Sequence, residues 1–311
     1  MEKNSLEIAK KILMSGELVI FPTETVYGLG GDATNDVAVD RIFESKNRPK
    51  SNPIICHFAN IEKVKKNFKI NYLENLLIKE FWPGPLTIIL EKNYNSKISK
   101  KVSNNSCWIG CRIPNNSLTL KLLNSLSFPV AAPSANITSK TSVTYPGDLN
   151  SELKKNIFTL SDGSSSLGLE STVIRIKNDK IEILRLGSLT EEQIHLKFPN
   201  IEIKVIVKSN LSPGNQLKHY SPNKPIRINV KNVENDEVLL NFGSCSLVSK
   251  LYNLNLSKKG NLLEASNNFY HYLHKLDKHN SARIAVVPIP NVGLGKTIND
   301  RLLRASFVKK L

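Results

Sequence analysis

Apolar side chains at helical spacing open the chain: Leu6, Ile8, Ala9, Ile12 and Leu13 predict an amphipathic helix over residues 5–15. The continuous run Leu18-Val19-Ile20-Phe21 then predicts a buried strand, stopped by Pro22. Gly28, Gly30 and Gly31 come soon after and predict a tight turn or a close approach of backbone to a ligand. Asn35 is a good N-cap for a helix that shows Val39, Ile42 and Phe43 on one face. That helix must end before Arg48-Pro49, because the residue ahead of a proline avoids helical dihedrals. A second strand over 53–58 carries His57, and helices are expected over 61–68 and 72–82. Pro83-Gly84-Pro85 breaks the pattern and launches a strand over 86–91. A strand over 107–113 carries Arg112, a helix fits 118–126, and an extended segment over 129–133 opens onto Ser134-Ala135-Asn136. Loops rich in Ser, Thr and Gly cover 137–147 and 161–168, followed by strands over 171–176 and 181–185 and a helix that starts after Ser188 or Thr190.

The periodicity lapses over residues 206–224, a stretch of Ser, Pro, Asn and Gly that reads as a linker. It divides the chain into residues 1–205 and a smaller unit, 225–311. In the smaller unit, strands are expected over 226–230, 238–241 and 284–288, and helices over 262–277 and 298–308, which makes it a small α/β domain. Gly293-Leu294-Gly295-Lys296-Thr297 looks like the end of a phosphate loop, but position 290 is proline where that loop needs glycine, so it reads as a turn before the last helix.

Composition narrows the picture. With 311 residues, 40% hydrophobic and 23% charged, the chain has globular character and length for about two domains. No window approaches a transmembrane span, and the first residues are charged and helical, so a cytoplasmic protein with no membrane association is expected. The net charge of +16, from 43 Lys and Arg against 27 Asp and Glu, favours an anionic partner, although a Lys- and Asn-rich background accounts for part of it. Cys56, Cys107, Cys111 and Cys245 form no C-x-x-C pair and read as reduced thiols, not as a zinc site.

The candidate chemistry lies in short elements that are weak one by one. Lys46 and Arg48 bring two fixed cations to a helix end, suited to a triphosphate or a doubly anionic transition state, or else simply solvated there. Ser134 and Asn136, behind Pro133, would bind phosphate or cap a turn. Thr23, Thr25 and Tyr27 have an equally bland reading as strand and turn residues, and His57 alone reads as a structural histidine. His271 and His274 share a helix but lack further metal ligands.

Taken together and in order, these elements resemble the Sua5/YrdC/YciO family, in its two-domain Sua5 branch. The opening Phe21-Pro22-Thr23-Glu24-Thr25-Val26-Tyr27-Gly28-Leu29-Gly30 is close to the family signature. Lys46-Asn47-Arg48-Pro49, Phe81-Trp82-Pro83-Gly84-Pro85-Leu86-Thr87, Arg112-Ile113-Pro114, Ala132-Pro133-Ser134-Ala135-Asn136, Glu170-Ser171-Thr172-Val173 and Leu184-Arg185 match the blocks that follow. Ser212-Pro213-Gly214 with His219-Tyr220-Ser221-Pro222 resembles the linker of the Sua5 branch, and Gly293 to Ala305 resembles the end of its C-terminal domain. Departures are Ile137-Thr138-Ser139-Lys140 in place of the usual Ile-Ser-Gly-Lys, Gln216-Leu217 where an aromatic is frequent, and a short C-terminal domain.

The resemblance implies an α/β fold: a large twisted open sheet with surrounding helices (YrdC-like) over 1–205, a linker acting as a lid over 206–224, and a smaller Rossmann-like domain over 225–311. It implies synthesis of threonylcarbamoyl-AMP and pyrophosphate from L-threonine, bicarbonate and ATP. Other proteins then transfer the threonylcarbamoyl group to adenosine 37 of tRNA. By position in the motifs, Arg48, Asn52, Ser134, Ser142 and Arg185 would contact ATP, with Trp108 doing so through its backbone and Asn136 completing the Ser-x-Asn element. Lys46 and Arg48 would act on the developing phosphate or carbamate charge, and Tyr220 would reach over the nucleotide. Thr25, His57, Arg112, Ala132 and Ser171 would surround threonine, with Arg112 as partner of its carboxylate. Magnesium would accompany ATP, with no dedicated metal ligands in the chain. The rival expectations are an RNA-binding surface, which the net charge suits, and carbamoyl-adenylate chemistry on another acceptor.

Overall fold

Residues 2–206 and 219–306 are described in the computed structural model. α1 (Glu2–Met14) buries Ala9 and Leu13 against β1 (Val19–Phe21) and against a later helix, Ser117–Asn124. β2 (Gly28–Asp32) runs back antiparallel to β1, with Val19 opposite Gly30 and Phe21 opposite Gly28. Of the two uses expected for these glycines, the tight turn is not seen: all three are strand residues, and Gly28 lies on the cavity wall. Their use is close packing: a Cβ on Gly30 would lie 2.4 Å from the Phe21 ring and 2.6 Å from Val130.

Along the first domain follow α2 (Asp36–Ser45), β3 (Cys56–His57), α3 (Ile61–Asn67), β4 (Phe68–Lys69), α4 (Tyr72–Phe81), β5 (Leu86–Lys92) and β6 (Trp108–Arg112). Then come α5 (Ser117–Asn124), β7 (Val130–Ala131), α6 (Ser151–Asn156), β8 (Phe158–Thr159), β9 (Thr172–Lys177), β10 (Lys180–Arg185), α7 (Glu191–Lys197) and β11 (Ile203–Val205). The strands make one mixed eleven-stranded sheet in the order β11-β10-β9-β5-β6-β3-β7-β2-β1-β8, with β4 paired to β5. Asparagine explains many of the boundaries. Asn35, Asn60, Asn71, Asn116 and Asn150 each cap a helix by accepting from backbone N–H groups of its first turn.

The register at the centre of the sheet fixes the chemistry. β3 pairs in parallel with β6, setting His57 beside Arg112, and antiparallel with β7, setting His57 opposite Val130. At the other side, β9 joins β5 in parallel and β10 turns back on β9 with an irregularity between Ile183 and Arg185. Such a bulge re-aims a side chain at a strand end.

The smaller domain has β12 (Ile226–Arg227), β13 (Glu237–Asn241), β14 (Asn253–Asn255), α8 (Leu262–Lys278), β15 (Arg283–Val286) and α9 (Leu294–Ala305). Its four strands are all parallel, in the order β12-β15-β13-β14. β14 was not expected, because a three-residue strand with two Asn carries almost no apolar signal. The last helix begins at Leu294, so the segment read as a turn is mostly helical; Gly295 is needed because a Cβ there would meet the Pro290 carbonyl at 1.9 Å. The expected end of that helix at 308, and Ser212-Pro213-Gly214 and Gln216-Leu217 of the linker, lie outside the described residues. Val26, Leu169 and Tyr220 pack into the same apolar cluster as Phe269, Leu273 and Ile298, so the two domains share a core.

Candidate active site

One cavity gathers most of the expected residues, and the strand ends deliver them. From the β1–β2 connection comes Thr25; from β3 and β6 come His57 and Arg112; Ala132 and Ser134 follow β7; Ser171 precedes β9 and Arg185 ends β10. Arg48, after α2, and Tyr220 complete the wall.

Thr25, His57 and Arg112 form one corner. Arg112 Nη1 donates to Thr25 Oγ1 at 2.9 Å and its Nε donates to the Gly84 carbonyl at 3.1 Å. Its Nη2 lies 2.6 Å from Glu24 Oε1, and both side chains are buried. Arg112 is thus charge-paired with Glu24 within the chain. Glu24 was visible in the opening motif, and a buried arginine calls for an acid. Burial, helped by the Arg112 charge, pushes the His57 imidazole down to about 3, so it is neutral near pH 7.

Arg48, Arg185 and Tyr220 form a second cluster on the wall. Arg48 Nε donates to the Asn52 carbonyl at 3.1 Å and Nη2 to the Pro53 carbonyl at 2.7 Å. Burial lowers its guanidinium to about 10; Tyr220 opposes this and Arg185 adds to it. Arg185 Nη2 donates to the Ser171 carbonyl at 2.8 Å and to Ser171 Oγ at 3.1 Å. The Ser171 hydroxyl also meets Thr87 Oγ1 at 2.8 Å. Tyr220 is held at a φ of 61°, a conformation that costs a bulky residue about 1–3 kcal/mol and that clusters at functional sites.

Five expected residues stand behind this wall instead of on it. Lys46 is fully buried and its Nζ donates to the Ser134 and Asn136 carbonyls, so it braces the Ser-x-Asn turn. Burial, and then the Arg48 charge, lower its pKa well below the ordinary lysine value. Asn136 accepts from Ser134 Oγ and donates to the Ile137 and Lys140 carbonyls. Ser142 Oγ donates to Glu170 Oε1 at 2.6 Å. Asn52 holds Arg48 through its carbonyl, and its buried Nδ2 has no hydrogen-bond partner among the described residues. Trp108 is exposed at the start of β6, with its backbone N–H bonded to Ser106 Oγ.

Glu170 and His219, both on the wall, carried no expected role. Glu170 accepts from Ser142, Tyr270 and Arg301. Burial alone would raise it, but the Arg301 and Arg185 charges and these hydrogen bonds hold it at about 2. His219 is lowered to about 3 by burial; the Glu170 carboxylate opposes this, while Arg48, Arg301 and Lys46 add to it. An unfolded histidine titrates near 6.5, so the unfolded chain binds more protons than the folded one between about 6.5 and 3. Stability contributed by neutral His57 and His219 is therefore lost as pH falls through that window. Thermal melts from pH 7.5 to 4.5 should show a smaller acid-side fall in midpoint for His57→Asn than for wild type; equal falls would contradict this.

Among the described residues no group of three or more His, Cys, Asp or Glu is placed to hold a metal, and no helix is long and apolar enough to cross a membrane. Fold and cavity together define an α/β protein that gathers desolvated cations and hydroxyls at the ends of a large mixed sheet, with a small parallel-sheet domain against one wall. Residues 11–187 match the Sua5, YciO and YrdC family described under telomere recombination, and residues 189–306 match the C-terminal domain of threonylcarbamoyl-AMP synthase. A threonylcarbamoyl-AMP synthase of Bacillus subtilis is 32% identical, covering 96% of this chain and 92% of its own length. One from Pyrococcus abyssi is 36% identical over 72% of this chain and 68% of its own. The crystal structure of P. abyssi Sua5 complexed with L-threonine matches with a TM-score of 0.87 at 31% identity, covering 98% of this chain and 95% of that one. The chain belongs to the Sua5/YrdC family, and within it to the two-domain threonylcarbamoyl-AMP synthases, nucleotidyltransferases that serve the t6A modification of tRNA.

Proposed function

We propose that this cavity joins L-threonine, bicarbonate and ATP, with threonine in the Thr25–His57–Arg112 corner and the nucleotide in the Arg48–Ser134–Arg185 corner. The observation that carries this reading is the joining of two differently built corners in one cavity: a polar pocket around a neutral imidazole, and a pair of buried arginines. The P. abyssi relative solved with L-threonine supports threonine as a ligand of this chain. The amine of threonine and bicarbonate give a carbamate: the N–C bond forms, a C–O bond of bicarbonate breaks and water leaves. A carbamate oxygen attacks the α-phosphorus, and the bond to the bridging oxygen of pyrophosphate breaks. Negative charge grows on the phosphoryl oxygens, and Arg48 and Arg185 stabilise it from fixed, desolvated positions. Lys46 contributes by holding the Ser134 turn in place. His57 would accept a hydrogen bond from threonine without taking its proton; at about 3 it is too weak a base for proton abstraction at neutral pH. Magnesium bound to the ATP phosphates would supply further charge neutralisation there, with no ligand from the described residues assigned to it.

His219 and Tyr220 stand on the wall of this same cavity. We read the stretch over 206–224, between domains at 1–205 and 225–311, as a linker that brings Tyr220 over the nucleotide and serves as a lid. The product passes to separate tRNA threonylcarbamoyl-transfer proteins. The test is pyrophosphate release with ATP, magnesium, bicarbonate and L-threonine, each omitted in turn. Release that needs all of them is expected; turnover without threonine would move the assignment to another acceptor.

A further inference from the structure

Arg301, on α9 of the smaller domain, has no exposed surface and touches both the cavity wall and the lid residue. Its Nε donates to Glu170 Oε2 at 3.0 Å, its Nη2 donates to the Leu186 carbonyl at 2.6 Å, and its Nη1 pairs with Asp300 at 2.5 Å. Its Cζ lies 4.6 Å from the centre of the Tyr220 ring. The sequence positions of these partners give the contact its meaning. Glu170 immediately precedes Ser171, and Leu186 immediately follows Arg185. Arg301 therefore grips the two segments that carry the Arg185–Ser171 hydrogen bonds. One turn earlier on the same helix, Thr297 Oγ1 donates to the Gly187 carbonyl at 3.0 Å, extending the grip. A buried ion pair adds little net stability by itself, because desolvation offsets the Coulomb gain. Here the planar, forked guanidinium is used on three sides, which a lysine ammonium cannot reproduce.

We propose that Arg301 is a positioning residue for the nucleotide corner: it sets Arg185 and Ser171 in register and seats the Tyr220 ring, so that docking of the smaller domain completes the ATP site. This rests on the reading of that corner as the nucleotide site.

The test compares Arg301→Lys and Arg301→Gln with wild type, by ATP titration calorimetry without threonine and by steady-state pyrophosphate release. Arg301→Lys keeps Glu170 paired and the fold intact, but loses the stack on Tyr220. A cation–π contact of this kind, with the lost fork, corresponds to about a tenfold weaker ATP affinity and a matching rise in KM for ATP. KM for L-threonine should change less than about twofold. Adding Tyr220→Leu to Arg301→Lys should weaken ATP affinity little further, because the ring no longer has its seat. Wild-type ATP affinity in Arg301→Lys would overturn the proposal, as would equal shifts for ATP and threonine or multiplicative effects of the two changes. Arg301→Gln is expected to lose more than Arg301→Lys; the reverse order would also count against it. A wild-type protein that binds ATP but releases no pyrophosphate with threonine would defeat the functional reading, while the ATP affinities would still decide the role of Arg301.

Discussion

Arg48→Ala is expected to lower adenylate formation by about 10²–10³-fold or more, the scale on which a single preorganised donor at a developing anion is measured. The side chain is buried beside Arg185 and is lowered only to about 10, so it remains charged at neutral pH. Its removal also leaves the Asn52 and Pro53 carbonyls without their donors. Leaving buried carbonyls unpaired costs about 1–3 kcal/mol each, so the melting midpoint should fall while the protein still folds. Ser134→Ala should reduce adenylate formation about as strongly with less effect on stability, because the lost hydroxyl frees only the Asn136 acceptor. Pyrophosphate release and circular dichroism on both variants check this pair of outcomes. Wild-type turnover in either would remove that residue from the nucleotide corner.

Deleting residues 206–311 should be still more damaging. The truncated chain loses Tyr220 from the cavity, and with it Tyr270 and Arg301, which hydrogen-bond Glu170. Glu170 would keep only Ser142 and the nearby Arg185 charge, and would lose the cover and the two donors that fix its position beside Ser171. Val26 and Leu169 would also lose the apolar cluster that covers them. The expected result is a lower melting midpoint and near-complete loss of turnover. A truncated protein with undiminished activity would show that the second domain neither closes nor braces the site.

Much of the larger domain was legible because its signals are local. Asn35 capped the helix it was expected to cap, and Val39, Ile42 and Phe43 are buried on its inner face. Pro83-Gly84-Pro85 introduced the strand it was expected to launch. The glycines of β2 misled because glycine has two uses, and only the neighbouring Phe21 ring and Val130 tell close packing from a turn. Short strands such as β8 and β14 left no trace, since two or three residues cannot show a period. In the site, residues that line the cavity through fixed motifs were found, whereas their supports were not. Glu170 lies in a quoted motif, but its partners Tyr270 and Arg301 come from a helix pair 100 or more positions away. Lys46 shows the converse: its type and position suggested contact with phosphate, and only tertiary structure turns its ammonium toward the Ser134 and Asn136 carbonyls.

The central claim is that one cavity condenses threonine, bicarbonate and ATP. Its most direct test is mass spectrometry of the nucleotide product made with ¹³C-bicarbonate. The account predicts an adenylate with the mass of threonylcarbamoyl-AMP, heavier by a single ¹³C than the unlabelled product and absent when L-threonine is omitted. An adenylate without the label, or one formed equally well without threonine, would contradict it.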